Sequence, residues 1–208
     1  MKICGLTLAV YRDKTFFKLL PKLNPKPDIF IIRNVEPAKE VWRQLQSIAL
    51  GYNNYRKLAP DNITHYWIIE DDCIFPHNTL DILIDNLKQT KSDAITISVY
   101  NRYAKHIMVW NLKKTTKGKL VKVDINDKTG LKQVDVSSLN CFLIKKEVFC
   151  SEDFVVSNYN TELYVDTLFF TKLRKRGYTL YCNFDIRTEH GGLVWYGNEV
   201  KENNNIGL

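Results

Sequence analysis

The chain has 208 residues, 45% of them hydrophobic and 12% aromatic, which is enough to bury one substantial core and gives no sign of a second. Its 30 Lys and Arg against 23 Asp and Glu leave a formal charge of +7, but the two signs are interspersed. A diffuse excess of this kind suits an anionic ligand and argues against a concentrated nucleic-acid groove.

In chain order, the residues at 3–11 form the first predicted strand, followed by a helix at 15–23 that Asn24, Pro25 and Pro27 end. A second strand is expected at 28–33. The next helix, at 38–58, carries Val41, Leu45, Ile48 and Tyr52 at helical spacing, and a buried third strand follows at 65–69. Beyond it come a helix at 79–89, with Leu80, Leu83, Ile84 and Leu87 apolar, and a fourth strand at 94–100. This alternation is the pattern of a parallel sheet with crossover helices.

The stretch 101–136 reads as hairpins or loops, with turn signals at Lys117-Gly118 and Thr129-Gly130. Its lysines, Lys113, Lys114, Lys117, Lys119 and Lys122, read as a solvated hairpin. A strand at 137–144, a helix at 160–176, a strand at 178–183 and an irregular tail from 189 complete the prediction. The five cysteines are scattered in apolar runs without metal-ligand spacing, and read as free thiols of a reducing compartment. The apolar stretch 1–10 is too short to span a membrane and lacks a cleavage pattern, so the expected location is cytoplasmic.

Glu70, Asp71 and Asp72 directly follow the third strand, and ligands of open α/β sheets bind beyond the carboxyl ends of strands. Alternation along a strand sends Glu70 and Asp72 to one side and Asp71 to the other. The first two then form an oxygen site for a hard divalent cation able to hold a diphosphate. Acidic strand ends are also common turn residues, and the triplet alone leaves both readings open.

Gly51-Tyr52-Asn53, the run from His65 to Asp72, Phe75-Pro76 and the leucines of 80–83 resemble the nucleotide-binding half of GT-A-fold glycosyltransferases, especially family 2. The helix from Asp166 to Gly177-Tyr178 is similar to the family's helix that begins with a catalytic acid. The stretch 140–149 is similar to the strand and turn beside the donor sugar. Two departures stand out: the family usually has Glu-Asp where this chain has Val165-Asp166, and a glycine near Asn140. Glu162, one helical turn earlier, offers a substitute carboxylate.

The resemblance implies a single α/β domain over 1–208 with a GT-A-like, mainly parallel central sheet flanked by helices. Residues 1–100 would bind the nucleotide and 101–208 the sugar and acceptor. The activity implied is an inverting glycosyltransferase that uses a nucleotide-sugar donor and a carbohydrate, lipid-linked or protein acceptor. Nucleic acid is not an expected partner, and any membrane contact would be peripheral. Glu70, Asp72 and His190 would hold Mn2+ or Mg2+, and Asp166 would be the general base. Tyr11, Arg12, Asp13, Asn34, Glu36 and Asp71 are the expected donor contacts. Two other classes stay open: a metal-dependent phosphoryl-transfer enzyme (nucleotidyltransferase or nuclease), and a non-catalytic relative that only binds the nucleotide sugar.

Overall fold

The apolar runs become buried strands, and the polar stretches between them carry helices or hairpins. The computed structural model describes residues 1–9, 14–35, 41–101, 106–116, 120–125, 128–156, 165–186, 188–190, 193–196 and 199–202. Its first half contains β1 (Ile3–Ala9), α1 (Lys14–Leu19), β2 (Ile29–Asn34), α2 (Val41–Tyr55), β3 (His65–Glu70), β4 (Cys73–Ile74), α3 (Thr79–Thr90) and β5 (Ala94–Ile97). Then come the short β6 (Tyr100–Asn101) and β7 (His106–Ile107), the hairpin β8 (Val109–Lys114) and β9 (Leu120–Val123), and β10 (Leu131–Val134). Next are β11 (Val136–Ser137), β12 (Cys141–Lys145), α4 (Lys146–Phe149), α5 (Val165–Lys175) and β13 (Leu180–Asn183). The last strands are β14 (Thr188–His190), β15 (Leu193–Tyr196) and β16 (Glu199–Glu202).

Seven strands form the central sheet in the order β10-β13-β5-β12-β3-β1-β2. The pairs β1/β2, β1/β3 and β5/β13 are parallel, whereas β12 runs antiparallel to both β3 and β5, and β10 antiparallel to β13. The sheet is mixed: five of its seven strands run the same way, as expected, and β12 and β10 run against them. The cause is local: β12 enters the middle of the sheet from the opposite direction, and β10, expected as part of the hairpin region, adds an antiparallel edge. The result is an α/β domain whose mixed central sheet is flanked by helices.

Both faces of the sheet are covered. On one, α2 comes so close to β1 that a Cβ on Gly51 would stand 2.8 Å from a Leu8 methyl, so a larger residue there would have to displace the Leu8 side chain. The Tyr66 hydroxyl donates to the Arg56 carbonyl at 3.1 Å, and Phe142 meets Phe170 of α5 edge-on at 5.5 Å. Tyr52, Phe149, Phe154 and Phe169 extend this layer, with Phe154 and Phe169 stacked at 4.1 Å. On the opposite face Trp67 packs against Phe75 and α3 buries Leu80, Leu83 and Leu87. Four of the five free cysteines are buried in this core and Cys150 is exposed. Among the described residues, no helix is long and apolar enough to cross a membrane.

The tail differs from its prediction. Instead of an irregular segment, β14, β15 and β16 form a four-stranded sheet with β4. Leu193 to Tyr196 is a β-prone run that pairs with β14 and β16, and β4, distant in sequence, pairs with β14.

Candidate functional site

The acidic triplet straddles the end of a strand. β3 stops at Glu70, Asp71 and Asp72 make the turn, and β4 begins at Cys73. Exposure nonetheless follows the expected alternation: Asp71 is buried, while Glu70 and Asp72 are half-buried. Glu70 lies in register with Leu8, and Leu8 with Arg33, so the turn sits at the common carboxyl end of β1, β2 and β3.

Asn140 reaches Glu70 from the start of β12. Its side-chain Nδ2 donates to Glu70 Oε2 at 2.6 Å, and its carbonyl accepts from the Glu70 backbone N–H at 2.8 Å. Asn140 is buried, and its Oδ1 has no hydrogen-bond partner among the described residues. The same holds for the hydroxyl of fully buried Tyr52, on α2. Burial pushes the Tyr52 phenol well above its ordinary pKa, and Glu70, Asp71 and Asp72 push it further, so a neutral phenol borders the carboxylates.

Asp166 lies in the first turn of α5. Leu173 and Arg174, near the helix's far end, line one cleft with Ala94 and Leu180, the first residues of β5 and β13. Asp166 lies two turns back along the helix axis, about 10 Å, toward the carboxyl ends of the strands. α5 runs from Val165 to Lys175, and just past its end Gly177 takes a φ of +85°, with the Tyr178 N–H donating to the Leu173 carbonyl. The Asp166-to-Gly177 spacing is thus also the length of a capped helix.

Asp166 is half-buried, and its Oδ1 accepts from the Thr167 N–H at 2.6 Å. Burial raises its pKa, while that hydrogen bond and the charge of Lys122 work in the other direction. Lys122 stands over the Trp110 ring at 4.0 Å. One lysine of the expected solvated hairpin therefore lies within electrostatic range of the helix start.

The remaining predicted positions divide by what is described. The backbone of His190 pairs with Cys73, which puts it beside the acidic turn, and the backbone of Asn34 ends β2 opposite Ala9. Tyr11, Arg12, Asp13, Glu36 and Glu162 lie outside the described residues. Val165 is buried in the core and offers no carboxylate. Among the described residues, no group of three or more His, Cys, Asp or Glu side chains is arranged to hold a metal ion. What this end of the sheet offers is the pair Glu70 and Asp72, both hard oxygen donors.

The cleft lined by Leu173 and Arg174 has a volume of about 260 Å³ and opens at the amino ends of the strands, away from these carboxylates. Sequence reasoning placed Asn140 and Tyr52 within stretches that resemble the family but gave neither side chain a role of its own. The signal for Asn140 was its polarity at the head of an apolar strand.

No family model matches the chain, and no curated protein matches it by sequence. Solved structures do match in fold. A197 from STIV superimposes with a TM-score of 0.63 at 12% identity, over 98% of this chain and 95% of that one. GalNAc-T7, solved with UDP, GalNAc and Mn2+, superimposes with a TM-score of 0.55 at 10% identity. That match takes in 95% of this chain and 44% of the other, so this chain spans under half of GalNAc-T7. At these identities the likeness is one of fold.

Proposed function

We propose that the chain is a glycosyltransferase that moves a sugar from a nucleotide-sugar donor to an acceptor hydroxyl. The observation that supports this reading is that the Glu70–Asp72 turn follows β3 at the carboxyl end of an α/β sheet, where ligands of such sheets bind, while α5 carries Asp166 in its first turn. The fold likeness to GalNAc-T7, a protein solved with UDP, a sugar and Mn2+, supports it.

Glu70 and Asp72 are the residues that would hold the cation, and their oxygen-only chemistry suits Mn2+ or Mg2+ with several waters retained. A cation held by these residues would supply charge to offset that of a departing nucleoside diphosphate. The same proposal gives His190 a place among the cation ligands and assigns donor contacts to Asp71, Tyr11, Arg12, Asp13, Asn34 and Glu36.

Asp166 is the general base. It takes the proton of the acceptor hydroxyl as that oxygen bonds to the anomeric carbon and the bond from that carbon to the phosphate oxygen breaks. A single displacement inverts the carbon. Burial strengthens Asp166 as a base by raising its proton affinity, and the Thr167 N–H fixes one of its oxygens.

The test is a thermal-shift screen of UDP-, GDP- and dTDP-sugars with and without manganese, on the native chain and on Asp72→Ala. Stabilisation by one nucleotide family that requires manganese and disappears in Asp72→Ala is the expected result. No shift with any donor would overturn the transferase reading in favour of phosphoryl transfer or an inactive relative.

A further inference from the structure

The cleft at the amino ends of β5 and β13 lies away from the acidic turn and has a chemistry of its own. Val134, Val148, Phe170, Leu173 and Leu180 wall it, and all five are buried. Gln133, Arg174 and Tyr178 add polar groups. Its volume of about 260 Å³ falls just under the range of about 300–1,000 Å³ that drug-sized ligands occupy, so it suits a smaller molecule.

Arg174 gives the cleft its preference. Asp135 holds the guanidinium by an ion pair made through Nε. Asp135 is itself fixed to β8, because its Oδ2 accepts from the Leu112 N–H at 2.6 Å and its own N–H donates to the Trp110 carbonyl at 3.1 Å. Among the described residues the two Nη groups of Arg174 make no hydrogen bond, and the side chain is 42% exposed. A planar fork of N–H donors anchored on one edge matches a carboxylate, which a lysine ammonium would meet only as a point charge. Tying α5 to the neighbouring strands needs the ion pair alone. It does not need an apolar hollow beside it, since apolar side chains ordinarily close-pack.

The surrounding charge agrees. Lys172, Arg174, Lys175 and Arg176 lie on the last turn of α5 and just beyond it, and the carboxylates paired with this group are Asp135 and Glu152. Lys145 and Asp93, beside the foot of β5, neutralise each other. Four cations against two carboxylates leave a positive excess, which outweighs the roughly half negative charge at a helix carboxyl end.

We propose that this cleft is a binding site for a small organic carboxylate, whose apolar body lies against Phe170 and Leu173 and whose carboxylate meets the Nη groups of Arg174. The site is independent of the transferase reading and lies at the opposite end of the sheet from the acidic turn.

The experiment is an NMR titration of benzoate, benzamide and acetate into the isotope-labelled native chain, Arg174→Gln and Arg174→Lys, read at the amides of Gly177, Tyr178 and Leu180. Benzoate is expected to shift these amides. Benzamide, which keeps the ring without the charge, is expected to bind about 10–100-fold more weakly, and Arg174→Gln to lose benzoate affinity by a similar factor. Acetate, with the charge but little apolar body, is expected to bind more weakly than benzoate. If Arg174→Gln does not fold, Arg174→Lys carries the test, since it keeps a cation for Asp135 but loses the fork and must bind benzoate more weakly than the native chain. Equal binding of benzoate and benzamide would overturn the proposal and leave a plain apolar hollow. Full benzoate affinity in both Arg174 variants, or no shift of these amides in the native chain, would overturn it as well.

Discussion

The two ends of the central sheet treat buried polar groups in opposite ways. At the amino ends of β5 and β13, Asp93 accepts from Lys145 Nζ at 2.8 Å and from the Thr179 N–H and hydroxyl at 2.9 and 3.0 Å. Burial pulls the Asp93 pKa up, but these donors outweigh it and hold the carboxyl below its ordinary value. At the carboxyl ends, Glu70, Asp71 and Asp72 crowd together, while Asn140 Oδ1, the Tyr52 hydroxyl and the Ser98 hydroxyl are buried without partners among the described residues. One end uses its charge to hold the fold; the other keeps buried polar atoms that no described residue partners. The 260 Å³ cleft belongs to the first end, so concavity alone is a poor guide to where chemistry would occur.

The largest effect that would sharpen this contrast is on turnover. Asp166→Asn, assayed with the donor class that the thermal-shift screen selects, is expected to lower turnover by about 10²–10⁴-fold while the chain stays folded. An unchanged rate would remove Asp166 from the chemistry. At the other end, Asp93→Ala is expected to cost about 2 kcal/mol, lowering the melting point by about 4–8 °C without changing donor binding. Because the folded pKa of Asp93 is depressed, its contribution is full above the ordinary carboxylate pKa of about 3.9 and fades as pH falls through the lower folded value. Melting curves of the two proteins should therefore converge in strong acid.

The smallest effect has the opposite sign. Asp166 has a raised folded pKa, so its ionisation opposes folding once pH exceeds the ordinary carboxylate range. Asp166→Asn is then expected to melt slightly higher than the native chain at pH 7 and to lose that advantage below about pH 4. A variant less stable at neutral pH would mean that Asp166 serves the fold.

The first half of the fold was legible because its signals are local. Apolar runs such as Trp67-Ile68-Ile69 and the helical spacing of Leu80, Leu83 and Leu87 locate β3 and α3 without reference to the rest of the chain. The direction of β12 was not, since Cys141 to Lys145 reads as a buried strand whichever way it runs and only pairing with β3 and β5 decides it. The tail strands were missed for a similar reason: β14 is three residues long and exists through β4, over a hundred residues earlier. At the site, Glu70, Asp72 and Asp166 stood out by residue type and spacing. Asn140 and Tyr52 did not, because their meaning lies in contacts made across 70 residues and across the helix-sheet interface.

A crystal structure of the chain grown with manganese and a nucleoside diphosphate tests the central claim most directly. The account predicts an anomalous manganese peak in coordination contact with oxygens of Glu70 and Asp72, and the diphosphate at the carboxyl ends of β1 and β3. Nucleotide seated instead in the cleft beside Arg174, with no metal at the acidic turn, would contradict it.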